Sequence, residues 1–385
     1  MKICILTSSY PINRQDYIQA PFLLDFVKIL MERGHRVFIY TQNRKGRKEA
    51  VINGVEVKWF NWRMSSKRIV DLSPFNPLDI LNILSLIHNG RSGLPKFIEE
   101  QRIDVCLALW IIPNGYFAYC AHKKIGVPYS VWMLGSDVNK YGGYPVVRGI
   151  MKEIIVHATS IFANGFKLSQ KVERLFHREC HFLATTRKLP DVEEDAKIDS
   201  SRGYNFLFVG RLTKVKGVDI LIRGVKLLRK DALEMRLWIV GDGPLRNYIK
   251  REIFKENLAE NIVLLGAISD EELVSLYRKC NCVIIPSRSE SNPLVLSEAL
   301  NFGKDLIVSD VGDMGYLARE YGIAEVIPPE DPFVLKEVMK KMILGEVKMD
   351  REKYKDKYAR LKQLFNIQMS VDQFLSSVEK KEVFS

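Results

Sequence analysis

"YNFLFVGRLTKVKGVDILI", residues 204–222, is the stretch whose reading decides the fold. A short apolar run, 204–210, closes on a glycine, and a basic turn leads into a helix expected over 217–230. An apolar run of that length with no polar alternation reads as a strand buried on both faces, as in a parallel sheet. The pattern continues with strands at 235–241, 261–266, 281–286 and 305–310, and with helices at 244–256, 270–279 and 293–302. Upstream, "KICILTSS" (2–9) reads as a first strand, and "PFLLDFVKILMERG" as an amphipathic helix. Phe22, Phe26, Ile29 and Leu30 stand there at helical spacing, and Gly34 ends the helix. Strands at 35–42, 103–110, 128–134 and 160–165 follow, with helices over 115–124 and near 146–157. Strand and helix in alternation mean α/β architecture, here two doubly wound, Rossmann-like parallel-sheet domains.

The chain's 385 residues suit two such domains. Residues 187–203, rich in charge, Pro, Gly and Ser, read as a linker between domains at 1–186 and 204–350. Residues 351–385 read as two polar-rich closing helices. Ligands of open parallel sheets bind beyond the carboxyl ends of the strands, so a cleft between the domains is the expected site.

A hydrophobic share of 47% with 27% charged residues excludes a disordered chain, and no apolar run approaches the length of a membrane span. The opening "MKICILTSS" is too short for the core of an export signal, so a cytoplasmic protein is expected. Cys4, Cys106, Cys120, Cys180, Cys280 and Cys282 are scattered, without zinc-finger spacing, and read as free thiols with no metal. The net charge of +12 is unevenly placed: residues 1–185 hold 25 Lys and Arg against 14 Asp and Glu, the rest 33 against 32. Within the first half, residues 44–68 interleave basic residues with Trp59, Phe60 and Trp62. Such a face suits an anionic membrane surface or a pyrophosphate-bearing acceptor, or is simply a solvated basic loop. No nucleic-acid-binding motif accompanies it.

Three strand-to-helix turns of the second domain carry the chemistry. In "GRLTKVKG" (210–217), Gly210 allows a tight turn, and Arg211 and Lys216 stand just before a helix N-terminus. Helix entrances attract anions, and two cations there suit a diphosphate. In "GDGP" (241–244), Gly241 and Gly243 make a second turn, with Pro244 at an expected first helical position. In "PSRSESNPLVLSEAL" (286–300), Asn292 is an expected N-cap, and Leu294 opens the apolar face of a helix. Glu290 then falls in the loop and Glu298 one turn inside. A carboxylate accepts from neighbouring hydroxyls. The pair therefore fits a ribose diol and a sugar, with the N–H groups near 292–295 taking phosphate charge. Taken singly, each of these residues is equally a loop or surface charge.

Together, "GRLTKVKG", "GDGP" and "ESNPLVLSE", in order at successive turns, resemble the retaining group-1 glycosyltransferases of the GT-B fold, as does the following glycine loop "SDVGDMGYL". The resemblance implies a nucleoside-diphosphate sugar as donor, with Arg211 and Lys216 on the diphosphate, Glu298 on the ribose and Glu290 on the sugar. It implies a saccharide or lipid-linked acceptor against the first domain, with Asp137 on the acceptor side. No cofactor or metal is implied, and the closing helices are expected to cross back to the first domain. The sequence departs from the family twice. Gln19 and Ala20 stand where a glycine pair is common, and Leu134 stands where a histidine often precedes the G-x-D now read as Gly135, Ser136 and Asp137. Leucine supplies neither a hydrogen bond nor a proton. A nucleotide-sugar epimerase of similar fold and a non-catalytic two-domain sugar-binding protein are the alternatives.

Overall fold

Each apolar run that ends on a small or polar residue becomes a parallel strand, because its side chains must be covered on both faces. The computed structural model describes residues 1–13, 19–46, 48–63, 69, 72–73, 75–193, 203–347, 349 and 352–379. They divide into two units, Met1–Thr185 joined by the chain from Ile367, and Thr186–Asn366.

In the first unit the chain runs β1 (Lys2–Leu6), α1 (Pro21–Glu32), β2 (Arg36–Gln42), β3 (Val51–Ile52), β4 (Val55–Phe60), α2 (Pro77–Gln101) and β5 (Val105–Leu109). It continues α3 (Tyr116–Ile125), β6 (Tyr129–Met133), α4 (Ser136–Tyr141), α5 (Pro145–His157), β7 (Ile161–Ala163), α6 (Phe166–Phe176) and β8 (His181–Phe182). The strand order is β3-β4-β2-β1-β5-β6-β7-β8, parallel except for the short β3. Strand order reverses between β1 and β5, so the loops after these two strands flank the switch point.

The second unit runs β9 (Tyr204–Val209), α7 (Val218–Leu228), β10 (Met235–Val240), α8 (Arg246–Lys255), β11 (Ile262–Gly266), α9 (Asp270–Lys279) and β12 (Cys282–Ile285). Then come α10 (Leu294–Asn301), β13 (Asp305–Ser309), α11 (Met314–Tyr321), β14 (Glu325–Ile327), α12 (Pro332–Ile343) and α13 (Lys355–Leu364). Its sheet, β11-β10-β9-β12-β13-β14, is parallel throughout. Here the order reverses between β9 and β12, the strands that precede "GRLTKVKG" and "PSRSESNP".

Three expectations change. The segment read as a linker is packed at its start: Leu189 is buried and the Arg187 side chain nearly so, while residues 194–202 lie outside the described residues. The two closing helices part company. α13 packs on α10 and α11 of the second unit, and only α14 (Ile367–Glu379) joins the first unit, against α1. The reason is aromatic: Phe374, fully buried, meets Phe26 at 5.9 Å and Phe162 at 6.4 Å between ring centroids. Of the stretch 44–68, residues 47 and 64–68 lie outside the described residues, and its aromatic side chains are tied inward to differing degrees. Phe60 is buried and stacked on Tyr40, Trp59 donates its indole N–H to the carbonyl of Glu49, and Trp62 donates to that of Asn43. Phe60 lies inward because parallel β4 adds to the edge of β2 and shares its core, while Trp59 and Trp62 are half-buried.

Phe374→Ala removes a ring from this junction of α1, α14 and β7. It is expected to destabilise the first unit by about 3–5 kcal/mol, read as a lower denaturant midpoint for that unit.

Candidate active site

The rim of the second sheet is built by glycines that let backbone touch backbone. Gly217 has φ +70, and a Cβ there would fall 1.8 Å from the carbonyl oxygen of Pro286. A Cβ on Gly241 (φ +123) would meet the Gly210 carbonyl at 2.0 Å, and one on Gly312 (φ +55) the Glu290 carbonyl at 2.1 Å. Only glycine fits these positions on both counts, backbone angle and space. The turns after β9, β10, β12 and β13 thereby close into one continuous edge. Main-chain bonds finish it: Leu212 N–H to Asp242 O at 3.0 Å, Arg288 N–H to Val215 O at 2.8 Å, and Asp313 N–H to Ser291 O at 3.2 Å.

Across that edge Lys216 reaches Glu290. Its Nζ lies 2.5 Å from Glu290 Oε1, which also accepts from the Ser287 hydroxyl at 2.9 Å. The lysine stem passes over Gly210, its Cδ 4.0 Å from where a Cβ would stand. Arg211 is exposed, and its side chain makes no hydrogen bond or ion pair to a described residue. The expected N-cap shifts by one residue: Pro293 precedes α10, and no side chain caps the helix. Asn292 is buried in the loop, and Leu294 is the first helical residue. Pro244 likewise sits in the turn before α8, whose N-cap is Leu245.

Glu298, read from the sequence as a residue one turn into the helix, is 3% exposed. Arg187 Nε donates to its Oε1 at 2.6 Å, and the Tyr277 hydroxyl donates to its Oε2 at 2.6 Å. Arg187 Nη1 also donates to Asp270 Oδ1 at 2.9 Å, at the start of α9. Burial works against the Arg187 charge, but the two carboxylates outweigh it and hold the guanidinium protonated. Burial, reinforced by the Glu298 charge, pushes the Tyr277 phenol well up, so it stays a neutral donor. Sequence reasoning missed both partners. Arg187 was assigned to the linker, and Tyr277 stands on the inner face of an ordinary amphipathic helix.

Arg288 is the other missed residue. Its two Nη donate to both oxygens of Asp219 at 2.7 and 2.9 Å, its Nη1 also to the carbonyl of Lys214, and its Nε to Glu330 Oε1 at 2.5 Å. A bidentate arginine of this kind fixes orientation as well as distance. It pins the loop after β12 to the entrance of α7. Burial raises the Asp219 carboxyl, but the Arg288 bonds override it and hold it below the ordinary range.

In the first unit Asp137 is buried rather than presented on the surface. Its Oδ2 accepts the Ile111 N–H at 2.7 Å, and burial pushes its carboxyl up against the pull of nearby backbone N–H groups. It braces the turn after β5, where Trp110 holds φ +66 and donates its indole N–H to the Ser136 hydroxyl at 3.1 Å. Leu134 is half-buried just before it. Ala20, where the family commonly has glycine, occupies the left-handed region at φ 46 and opens α1. Burial pushes the Cys180 and Cys280 thiols up to about 12, so neither is a thiolate at neutral pH. Among the described residues no group of three or more His, Cys, Asp or Glu is placed to hold a metal ion.

Residues 192–362 match the family model described as glycosyl transferases group 1. The match spans most of the second unit. An uncharacterised glycosyltransferase of Methanocaldococcus jannaschii is 29% identical over 68% of this chain and 72% of its own. Among solved structures, sucrose-phosphate synthase of Thermosynechococcus elongatus superposes with a TM-score of 0.78 at 16% identity, covering 100% of both chains. Anabaena HepE in complex with UDP-glucose gives 0.70 at 16% identity, over 99% of this chain and 100% of its own. These likenesses define the fold as GT-B.

Because the folded Asp219 pKa is depressed, its stabilising contribution is complete above the ordinary carboxylate pKa and is lost as pH falls below about 4. Asp219→Asn is therefore expected to flatten the acid limb of the second unit's denaturation midpoint against pH.

Proposed function

We propose that the protein transfers a glycosyl group from a nucleoside-diphosphate sugar to a hydroxyl of a saccharide or lipid-linked acceptor, with retention of configuration. The observation that carries this reading is the Lys216–Glu290 contact across the switch point of the second sheet. A lysine ammonium has three N–H donors. One holds Glu290, and two remain for oxygens of a diphosphate. Arg211, exposed beside it, adds a second cation, and the uncapped first turn of α10 at Leu294 offers backbone N–H groups to the same charge. Gly210 and Gly241 let the backbone approach that diphosphate closely.

Glu290, turned toward Lys216 by its own loop, reads hydroxyls of the donor sugar. Glu298 reads the ribose with lone pairs left over from Arg187 and Tyr277, whose bonds fix its angle. In the reaction the bond from the anomeric carbon to the phosphate oxygen breaks, and the acceptor oxygen bonds to that carbon on the same face. The hydroxyl proton leaves with the departing phosphate. Negative charge grows on the nucleoside diphosphate as it departs, and Lys216, Arg211 and the α10 entrance stabilise it without a metal. Asp137 acts on the acceptor side through the turn it braces. The uridine diphosphate sugar held by HepE makes that donor class the first to test. The six unpaired cysteines fit action in the cytoplasm, and no helix among the described residues is long and apolar enough to cross a membrane.

A screen of uridine, guanosine and adenosine diphosphate sugars is expected to give transfer or slow hydrolysis with one of them, in the presence of a chelator, and a product of unchanged anomeric configuration. Interconversion of sugars, or saturable binding of free sugar without turnover, would overturn the reading. Lys216→Ala and Glu298→Ala are each expected to weaken nucleoside-diphosphate binding by about 1.5–3 kcal/mol in calorimetry. Glu290→Ala is expected to lower kcat more than donor affinity. Donor binding at wild-type strength in both alanine variants would remove the site assignment.

A further inference from the structure

The chain enters the second unit at Thr186 and leaves it at Asn366. Both passages are fastened to the same helix. Residues 183–190 form no strand or helix, so side chains carry the hold on the entering segment. The Thr186 hydroxyl donates to the Ser297 hydroxyl at 3.4 Å, and Ser297 in turn donates to the Leu294 carbonyl at 2.8 Å. Arg187 takes the next residue of α10, Glu298, and adds Asp270 at the start of α9. Leu189 is buried two residues on.

At the other end of α10, the helix that precedes the exit supplies the caps. The Tyr358 hydroxyl of α13 donates to the Leu300 carbonyl at 2.6 Å, and Lys362 Nζ to the Asn301 carbonyl at 3.5 Å. These are carbonyls of the last turn, which an α-helix leaves without partners of its own. Tyr277, the second donor to Glu298, is stacked on Phe302 just past the helix, with ring centroids 5.1 Å apart. α10 is two turns long, about 12 Å at 1.5 Å per residue. Its first turn offers N–H groups to the proposed diphosphate, its flank holds the entering segment, and its last turn meets α13.

Glu298 is where ligand and chain meet. A carboxylate offers about four lone-pair sites, and Arg187 and Tyr277 take two of them. Ribose hydroxyls on the remainder would displace water from a side chain that is only 3% exposed. Removing that water lowers the local dielectric, and a charged hydrogen bond strengthens as the dielectric falls. The bond that gains is the one from Arg187, and Arg187 belongs to the entering segment. We infer that Arg187 is a positioning residue that couples nucleotide occupancy to the hold on residues 186–189. Ribose hydroxyls on Glu298 tighten that hold, and loosening the hold weakens nucleotide binding, because a coupling between two equilibria is reciprocal. The inference rests on the reading of Glu298 as the ribose carboxylate.

The test is hydrogen exchange of the full chain, read by mass spectrometry with and without uridine, guanosine or adenosine diphosphate, each first titrated by calorimetry. With the nucleotide that binds, exchange in the peptide spanning 183–193 is expected to slow at least about fivefold, the lower end of a typical coupling. The peptide of α12 is expected to stay unchanged, which separates a local clamp from stabilisation of the whole unit. Arg187→Met is expected to weaken the nucleotide at least about tenfold and to lose the slowing. Arg187→Lys keeps the charge without the planar fork and is expected to recover part of both. The wild-type exchange measurement stands whether or not these variants fold. Binding without slowed exchange at 183–193 overturns the inference and leaves the proposed function standing, and so does equal slowing in α12. Wild-type affinity in Arg187→Met overturns it as well. If none of the three nucleotides binds, the ribose reading falls and the inference falls with it.

Discussion

The second unit depends on how closely two loops approach each other at the point where its sheet reverses order. Gly217 and Pro286 touch main chain to main chain, at a distance no side chain survives. That contact sets the spacing of the β9 and β12 turns, and with it the span that Lys216 must bridge to reach Glu290. Arg288 reinforces it with a bidentate grip on Asp219 and a bond to the Lys214 carbonyl. A wider gap would leave a lysine and a glutamate each solvated in its own loop. At the observed gap they form one unit of charge and geometry.

Electrostatics explains why acidic side chains are tolerable beside the proposed diphosphate site. Unpaired carboxylates there would repel a diphosphate and raise the cost of bringing it in. Each is neutralised locally instead: Glu290 by Lys216, Glu298 by Arg187, Asp219 by Arg288. What stays uncompensated is positive, in the exposed Arg211 and the uncapped entrance of α10. The paired carboxylates keep lone pairs for hydroxyl groups while contributing little net repulsion, an arrangement suited to a ligand that is anionic at one end and rich in hydroxyls at the other.

The first unit uses its polar residues differently. Asp137 turns inward to hold the strained turn at Trp110, and Asn114 ties that turn to the loop after β1 through the Ser8 hydroxyl at 3.1 Å. The carboxyl edge of this sheet is thus braced by buried polar bonds. Of the aromatic residues at 59–62, Phe60 belongs to the core and Trp59 and Trp62 are half-buried.

The alternation of buried strands and helices was legible because parallel strands covered on both faces must be apolar throughout, a local property of the chain. The glycines of 210–217, 241–243 and 312 were legible for a similar reason, since backbone freedom is written in one residue. Helix α2 was harder to read, because leucines on both of its faces blur the single apolar stripe that marks an amphipathic helix. Partnership was not legible at all. Nothing local to Arg187 links it to Glu298, 111 residues away, or links Arg288 to Asp219, 69 residues back. Sequence determined the fold class and where the glycine-rich turns fall. Only the tertiary structure decided which charges meet, because ion pairing depends on distances that the chain sets by folding.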